Sequence, residues 1–301
     1  MIRTTALDSI GSALSISNGE VELVATTSVG PRILFYRFVH GENILGLWPS
    51  ASQTNDLGTW KPYGGHRIWA APEEQPRTYY PDNDPVTVKQ LTDRAVQLTA
   101  SVERVTNIQK ELRITLLEGA SVALEHLITN CGDGPTELAP WSLTIMRPGG
   151  TTIIPQEPYR SHDDYLLPAR PIVLWHFTDL TDKRFSIGER LIELRTDTNS
   201  NEPQKIGAMN KQGWAAYYWK DLLFVKEFDY RAGQPYPDYG ANCEAYTQGD
   251  FMELESLGPM EVLAPGEAAH HTERWHLFRG VELSKNEEER YDAIVMLLSG
   301  K

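Results

Sequence analysis

Apolar and polar positions alternate in short runs over most of the chain. Runs rich in β-branched and aromatic residues fall at 13–16, 21–26, 33–39 and 44–48, split by Asn18-Gly19, Gly30-Pro31 and Gly41. Such runs between turn residues predict the strands of a meander. Strands are predicted again at 86–90, 95–102, 108–117 and 121–129, where Ala123-Leu124-Glu125-His126-Leu127-Ile128 has the period of a half-buried strand. After the turn Asn130-Cys131-Gly132-Asp133-Gly134, strands are expected at 137–146, 172–177, 191–195, 213–219, 222–229, 242–247, 251–256 and 270–278. One helix of ordinary length is predicted over 286–298, with Ser284 as its cap and Tyr291, Ile294, Val295 and Leu298 on one stripe.

Two segments lack this periodicity. Residues 49–85 crowd Gly, Pro, Asn and Asp together with Trp60, Tyr63, Trp69, Tyr79 and Tyr80. Loops this long are functional or disordered, and the aromatic residues favour an ordered excursion. A second, Pro-rich stretch follows Pro148-Gly149-Gly150 to about Pro171. No linker or tandem repeat interrupts the chain, so residues 1–301 are read as a single domain. More than a dozen short strands predict a mainly β fold, a large antiparallel β-sandwich of two packed sheets with a short C-terminal helix.

Composition narrows the functional classes. With 41% hydrophobic residues there is side chain enough for a sizeable core, and a net charge of −13 argues against nucleic acid, whose binding draws on clustered Lys and Arg. No run of some eighteen apolar residues exists, and residues 1–10 do not follow a leader pattern, so a cytoplasmic protein with no membrane partner is expected. Cys131 and Cys243 lack neighbours at metal-ligand spacing, so neither a metal site nor a disulfide framework is expected. A phosphate-binding glycine loop, a nucleophile elbow and a His-Glu-x-x-His motif are all missing, which lowers nucleotide-dependent transfer and triad hydrolysis.

Three constellations carry candidate chemistry. The densest is Tyr63-Gly64-Gly65-His66-Arg67-Ile68-Trp69, continued by Ala71-Pro72-Glu73-Glu74 and by Tyr79-Tyr80-Pro81-Asp82-Asn83. Paired glycines permit close backbone approach, and His, Arg, carboxylate, carboxamide and aromatic groups suit a ligand with apolar C–H faces ringed by hydroxyls. The alternative is a structured loop packed on the sandwich edge. The second joins Cys243-Glu244-Ala245-Tyr246-Thr247 to Phe251-Met252-Glu253-Leu254-Glu255, where strand parity sends Met252 and Leu254 to one face and Glu253 with Glu255 to the other. Adjacent carboxylates raise one another's pKa, a property useful in a base, although a solvated strand face is the commoner fate of Glu. The third places His271, Glu273, Trp275 and Leu277 on one face of the last strand, either as a buried hydrogen-bonded pair or as part of a site. Lys226 shares its face with Phe224 and Phe228, unless it snorkels to solvent.

Taken in order, Val29-Gly30-Pro31-Arg32-Ile33, Gly41-Glu42-Asn43-Ile44-Leu45, Gly64-Gly65-His66-Arg67, the late Glu-rich strand and Leu263-Ala264-Pro265-Gly266-Glu267 resemble the galactose-mutarotase-like superfamily. Within it the chain is similar to a bacterial family with this Gly-Gly-His-Arg, Pro-Glu and Pro-Asp-Asn pattern. The resemblance spans about residues 15–278. It implies opening of a pyranose ring by a His acid and a Glu base, with no cofactor. Glu255 matches the base, and His66 resembles the substrate-binding His beside the paired glycines. The strand that bears the acid His in the family reads Ala139-Pro140-Trp141-Ser142-Leu143-Thr144-Ile145-Met146, with Thr144 near the expected position. A Thr is no general acid near neutral pH, so His66, His126 or His271 would have to substitute.

The expectation is a carbohydrate-recognising protein with an aldose-epimerase-like pocket and a small-molecule sugar as its partner. His66 and Glu255 are the catalytic candidates; Arg67, Trp69, Glu73, Asp82, Asn83, Trp141, Lys226, Glu253 and His271 are the binding candidates. The alternatives are a non-catalytic carbohydrate-binding or sensing protein on the same scaffold and, third, a structural or interaction module.

Overall fold

The computed structural model of the chain describes residues 1–8 and 10–300. Its alternating runs pair antiparallel into two large sheets. The first, here the site sheet, has the order Ile2–Leu7, Gly11–Ser17, Val21–Thr26, Ile33–Phe38, His66–Ala71, Thr136–Ile145, Phe251–Leu257, Cys243–Gln248, Gln204–Ala208, Ile172–Leu174, with Glu261–Leu263 also paired to Thr136–Ile145. The second, the back sheet, runs Thr87–Thr92, Ala95–Thr99, Ile108–Leu116, Ser121–Asn130, Ala268–Phe278, Leu222–Phe228, Trp214–Trp219, Thr151–Pro155, Leu191–Arg195, Phe185–Ile187. The fold is the expected mainly β antiparallel sandwich. The main core lies between the sheets, where Ile16, Leu23, Tyr36 and Leu254 from one meet Leu112, Leu124, Phe224 and Trp275 from the other.

The C-terminal helix spans Glu287–Ser299, and its predicted stripe packs on the outer face of the back sheet with Trp214, Leu223 and Val225. Its cap is Asn286, whose side chain accepts from the Glu289 N–H; Ser284 instead accepts from the Asn286 N–H. No helix among the described residues is long and apolar enough to cross a membrane.

The structure corrects the reading of residues 49–85. This segment holds the ribbon Gln53–Asn55/Gly58–Trp60, the short strand Tyr63–Gly64 paired with Leu47–Trp48 just before it, and His66–Ala71, an interior strand of the site sheet with every residue buried. Both faces of that strand are covered, so no period-two signal survives. Gln204–Ala208, also buried throughout, is invisible to the pattern for the same reason. The paired glycines serve packing and not a ligand: at Gly65, with φ of +65°, a Cβ would lie 1.9 Å from the Ile33 carbonyl oxygen. Only glycine lets the chain pass this close to the neighbouring strand before entering His66–Ala71.

Candidate functional site

Alternation along His66–Ala71 divides the densest motif between the two faces of the site sheet. Arg67 and Trp69 point outward, whereas His66, Ile68 and Ala70 point toward the back sheet. Register then assembles the outer face: Trp69 lies opposite Trp141, Arg67 opposite Leu143, Leu143 opposite Glu255, and Glu255 opposite Glu244. Together with loop residues, Arg67, Trp69, Trp141, Leu143 and Glu255 form the wall and floor of a cavity of about 880 Å³.

One wall is aromatic. The Trp69 ring centroid lies 5.3 Å from Trp141, 5.4 Å from Trp60 and 4.9 Å from Tyr79. The floor carries two cations held by carboxylates. Arg67 Nη2 donates to Glu253 Oε1 at 3.0 Å, and its guanidinium lies over the Trp69 ring at 4.5 Å. Lys205 Nζ lies 2.8 Å from Glu244 Oε2 and 3.2 Å from Glu255 Oε2, with the Trp141 ring at 4.8 Å and the Trp175 ring at 4.6 Å. Trp141 Nε1 donates to Glu255 Oε2 at 2.8 Å. The indole N–H groups of Trp60 and Trp69, and Nε and Nη1 of Arg67, have no acceptor within the protein.

Burial sets the protonation states here. It pushes Glu253 up to about 7, opposed by Arg67 and reinforced by Glu255. Burial likewise holds Glu244 well above the usual carboxylate range against the pull of Lys205. Burial alone would lower the Lys205 pKa, but Glu244 and Glu255 outweigh it, and the ammonium is held charged. The floor therefore offers a carboxyl that titrates near neutrality beside a fixed cation. Arg67→Met is expected to raise the Glu253 pKa by roughly 1–3 units, the usual effect of removing an adjacent opposite charge. Carboxyl ¹³C NMR titration reads this directly, and an unmoved midpoint would show that the guanidinium does not govern that group.

Of the residues singled out in the sequence, Arg67, Trp69, Glu73, Trp141, Glu253 and Glu255 line this cavity. His66, Lys226 and His271 do not. They lie between the sheets in a buried polar cluster with His126 and Glu273. There His66 Nε2 is 2.7 Å from His126 Nε2, His66 Nδ1 is 2.9 Å from Thr144 Oγ1, and His271 Nε2 is 2.6 Å from Ser256 Oγ. Lys226 Nζ donates to Glu273 Oε1 at 2.8 Å and to the Leu254 carbonyl at 3.2 Å. Ligand atoms of His66, His126 and Glu273 lie within 4.8 Å of one another. Yet the Glu273 oxygens already accept from Ser142, Ser256, Lys226 and Trp275, and the Lys226 ammonium would repel a dication. The cluster is an internal ion pair rather than a metal centre. Asp82 and Asn83 are also elsewhere: Asp82 binds the buried Arg32 at 2.5 Å, and Asn83 accepts from Tyr63 and donates to the Thr59 carbonyl. Asp82 ties the 53–83 segment to the sandwich, and Asn83 braces that segment internally.

His66 and Glu255 thus stand on opposite faces of one sheet, and the expectation that they share a hollow is corrected. The reason is register: His66 lies opposite Thr144, one residue out of phase with the Arg67–Leu143–Glu255 row. Among the described residues lining the cavity there is no histidine. Lys205 and Trp175 lie outside the three constellations, whereas Glu244 and Tyr246 belong to the second without a role assigned to them. Parity applied to Cys243–Gln248, the neighbour of Phe251–Leu257, finds Glu244 and Tyr246, because they lie opposite Glu255 and Glu253. No comparable signal marks Lys205.

No protein-family model and no curated protein sequence matches the chain. Solved structures do. A candidate aldose 1-epimerase from Escherichia coli K12 superposes with a TM-score of 0.59 at 12% identity, covering 88% of this chain and 98% of that one. A galactose mutarotase-like protein from Lactobacillus casei gives 0.58 at 11%, covering 88% and 100%. The chain has the galactose mutarotase-like fold. A protein of the same description from Clostridium acetobutylicum gives 0.57 at 10%, covering 93% and 98%. Over most of its length, then, the chain follows a mutarotase-like scaffold, with the outer face of its site sheet floored by the Arg67 and Lys205 ion pairs.

Proposed function

We propose that the outer cavity of this mutarotase-like sandwich binds a carbohydrate. The observation that carries the reading is a cleft in which the half-buried rings of Trp48, Trp175, Tyr246 and Phe251 stand beside a floor of paired cations and carboxylates. Indole faces suit the apolar C–H faces of a pyranose, and fixed charged groups suit its hydroxyls. The like fold of proteins described as aldose epimerases and galactose mutarotase-like supports the same substrate class.

Anomer interconversion is the second reading, favoured by Glu253 titrating at about 7. Ring opening needs one group to take the anomeric hydroxyl proton and another to protonate the ring oxygen, each of suitable pKa. In this reading Glu253 in its acid form and Glu255 share those roles, in place of the His66–Glu255 pair.

Thermal denaturation with a panel of aldoses tests binding. A sugar at a hundred times its Kd stabilises the fold by about 2.7 kcal/mol, and no shift with any sugar would sink the reading. Saturation-exchange NMR between α and β anomers tests catalysis. Exchange should quicken with the wild type and return to the uncatalysed rate in Glu253→Gln and Glu255→Gln; no acceleration by the wild type leaves a binder.

A further inference from the structure

The cavity is larger than one pyranose needs, and its aromatic residues extend past the charged floor. At about 880 Å³ it sits near the top of the roughly 300–1,000 Å³ range that encloses a drug-sized molecule. Facing the buried Trp60–Trp69–Trp141 wall is a second row of rings, Trp48, Phe251, Tyr246 and Phe177, each touching the next. Their centroids step by 5.0, 6.0 and 6.5 Å, all at near-perpendicular ring angles. Unlike the first wall, this row is half-buried to exposed, with Phe177 at 41%.

The cleft does not end at Lys205. A further hollow of about 340 Å³ shares Glu73, Trp141, Trp175 and Lys205 with the main cavity and continues past Pro72 to Asp238. Lys205, clamped between the Trp141 and Trp175 rings, forms a ridge between two compartments. A single sugar over Arg67, Glu253 and Glu255 would leave the second row and the far hollow unused.

We propose that the cleft takes an oligosaccharide, with one residue over the charged floor and its neighbours in contact with the Tyr246 and Phe177 rings and past Trp175. The inference rests on the carbohydrate reading above and adds the length of the ligand. A row of aromatic contacts, an open groove and a floor that contacts only the central residue are what a chain of linked pyranoses requires.

Isothermal titration of the full-length protein with gluco-, xylo-, galacto- and manno-oligosaccharides of one to four residues tests this. In at least one series affinity should rise about tenfold or more from monosaccharide to trisaccharide, a step of about 1.4 kcal/mol. Phe177→Ala and Trp175→Ala should each bring the trisaccharide's affinity down toward the monosaccharide's. Because Phe177 is exposed, its replacement leaves the fold intact, which a thermal melt checks. Monosaccharide binding with affinity flat across chain length overturns the oligosaccharide proposal and leaves the sugar pocket standing. Binding by no sugar of any length overturns both.

Discussion

Replacing Lys226 with methionine is expected to destabilise the protein by about 3–5 kcal/mol, the cost of breaking a buried ion pair from one side. Lys226 and Glu273 are both fully enclosed between the sheets at 2.8 Å. Burial would push the Glu273 carboxyl up, but Lys226 first, then His66 and His126, hold it well below the usual carboxylate range. Without the ammonium, a carboxylate that also accepts from Ser142, Ser256 and Trp275 is left uncompensated in the core. Adding Glu273→Gln removes the orphaned charge and should recover part of the loss. Urea unfolding at constant m-value measures both, and a single-variant loss below about 1 kcal/mol would show that the pair is not held as described.

Acid should unfold the protein in two stages with a break near pH 4.5. Burial drives the His66, His126 and His271 pKa values below the usual imidazole value of 6.5, His271 to about 3. Below pH 6.5 the unfolded chain therefore takes up protons that the folded core refuses, and stability falls with pH. Glu244 and Glu253 act in the opposite sense. Their raised pKa values let the folded state keep protons that the unfolded state binds only below about 4.5, so they add stability as pH falls toward that value. Between pH 6.5 and 4.5 these effects oppose one another, so stability falls less steeply than the imidazoles alone would make it. Below 4.5 the carboxyl offset ends and protonation of Glu273 in the unfolded state joins the imidazoles, so the slope steepens. Urea midpoints measured from pH 7 to 3.5 read this out. Glu253→Gln should steepen the upper stage, and a wild-type profile with constant slope across pH 4.5 would contradict the assignment.

How much of this was legible in the sequence follows from what each face of a strand touches. Where one face is wet, as in Ile108–Leu116 with its strict buried and half-buried alternation, period two marks the strand directly. Where both are covered, as in His66–Ala71 and Gln204–Ala208, the pattern disappears, and with it the means of placing Lys205. Parity correctly grouped Glu253 with Glu255, and His271 with Glu273 and Trp275, because each grouping needs only local alternation. It could not say which face of the site sheet His66 would share. That depends on pairing with Thr136–Ile145, far away in sequence, and on Gly65 delivering the chain to that strand in one register.

The Phe251–Leu257 strand is a partition one peptide thick. Glu253 and Glu255 look out onto the cleft, while the Leu254 carbonyl and the Ser256 hydroxyl serve the Lys226 and Glu273 cluster behind it. A slip of this strand by one position would exchange the two sets, sinking two carboxyls into the sandwich and presenting leucine and serine to the cleft. The lining of the cleft and the interior of the sandwich are thus written in alternate letters of the same seven residues.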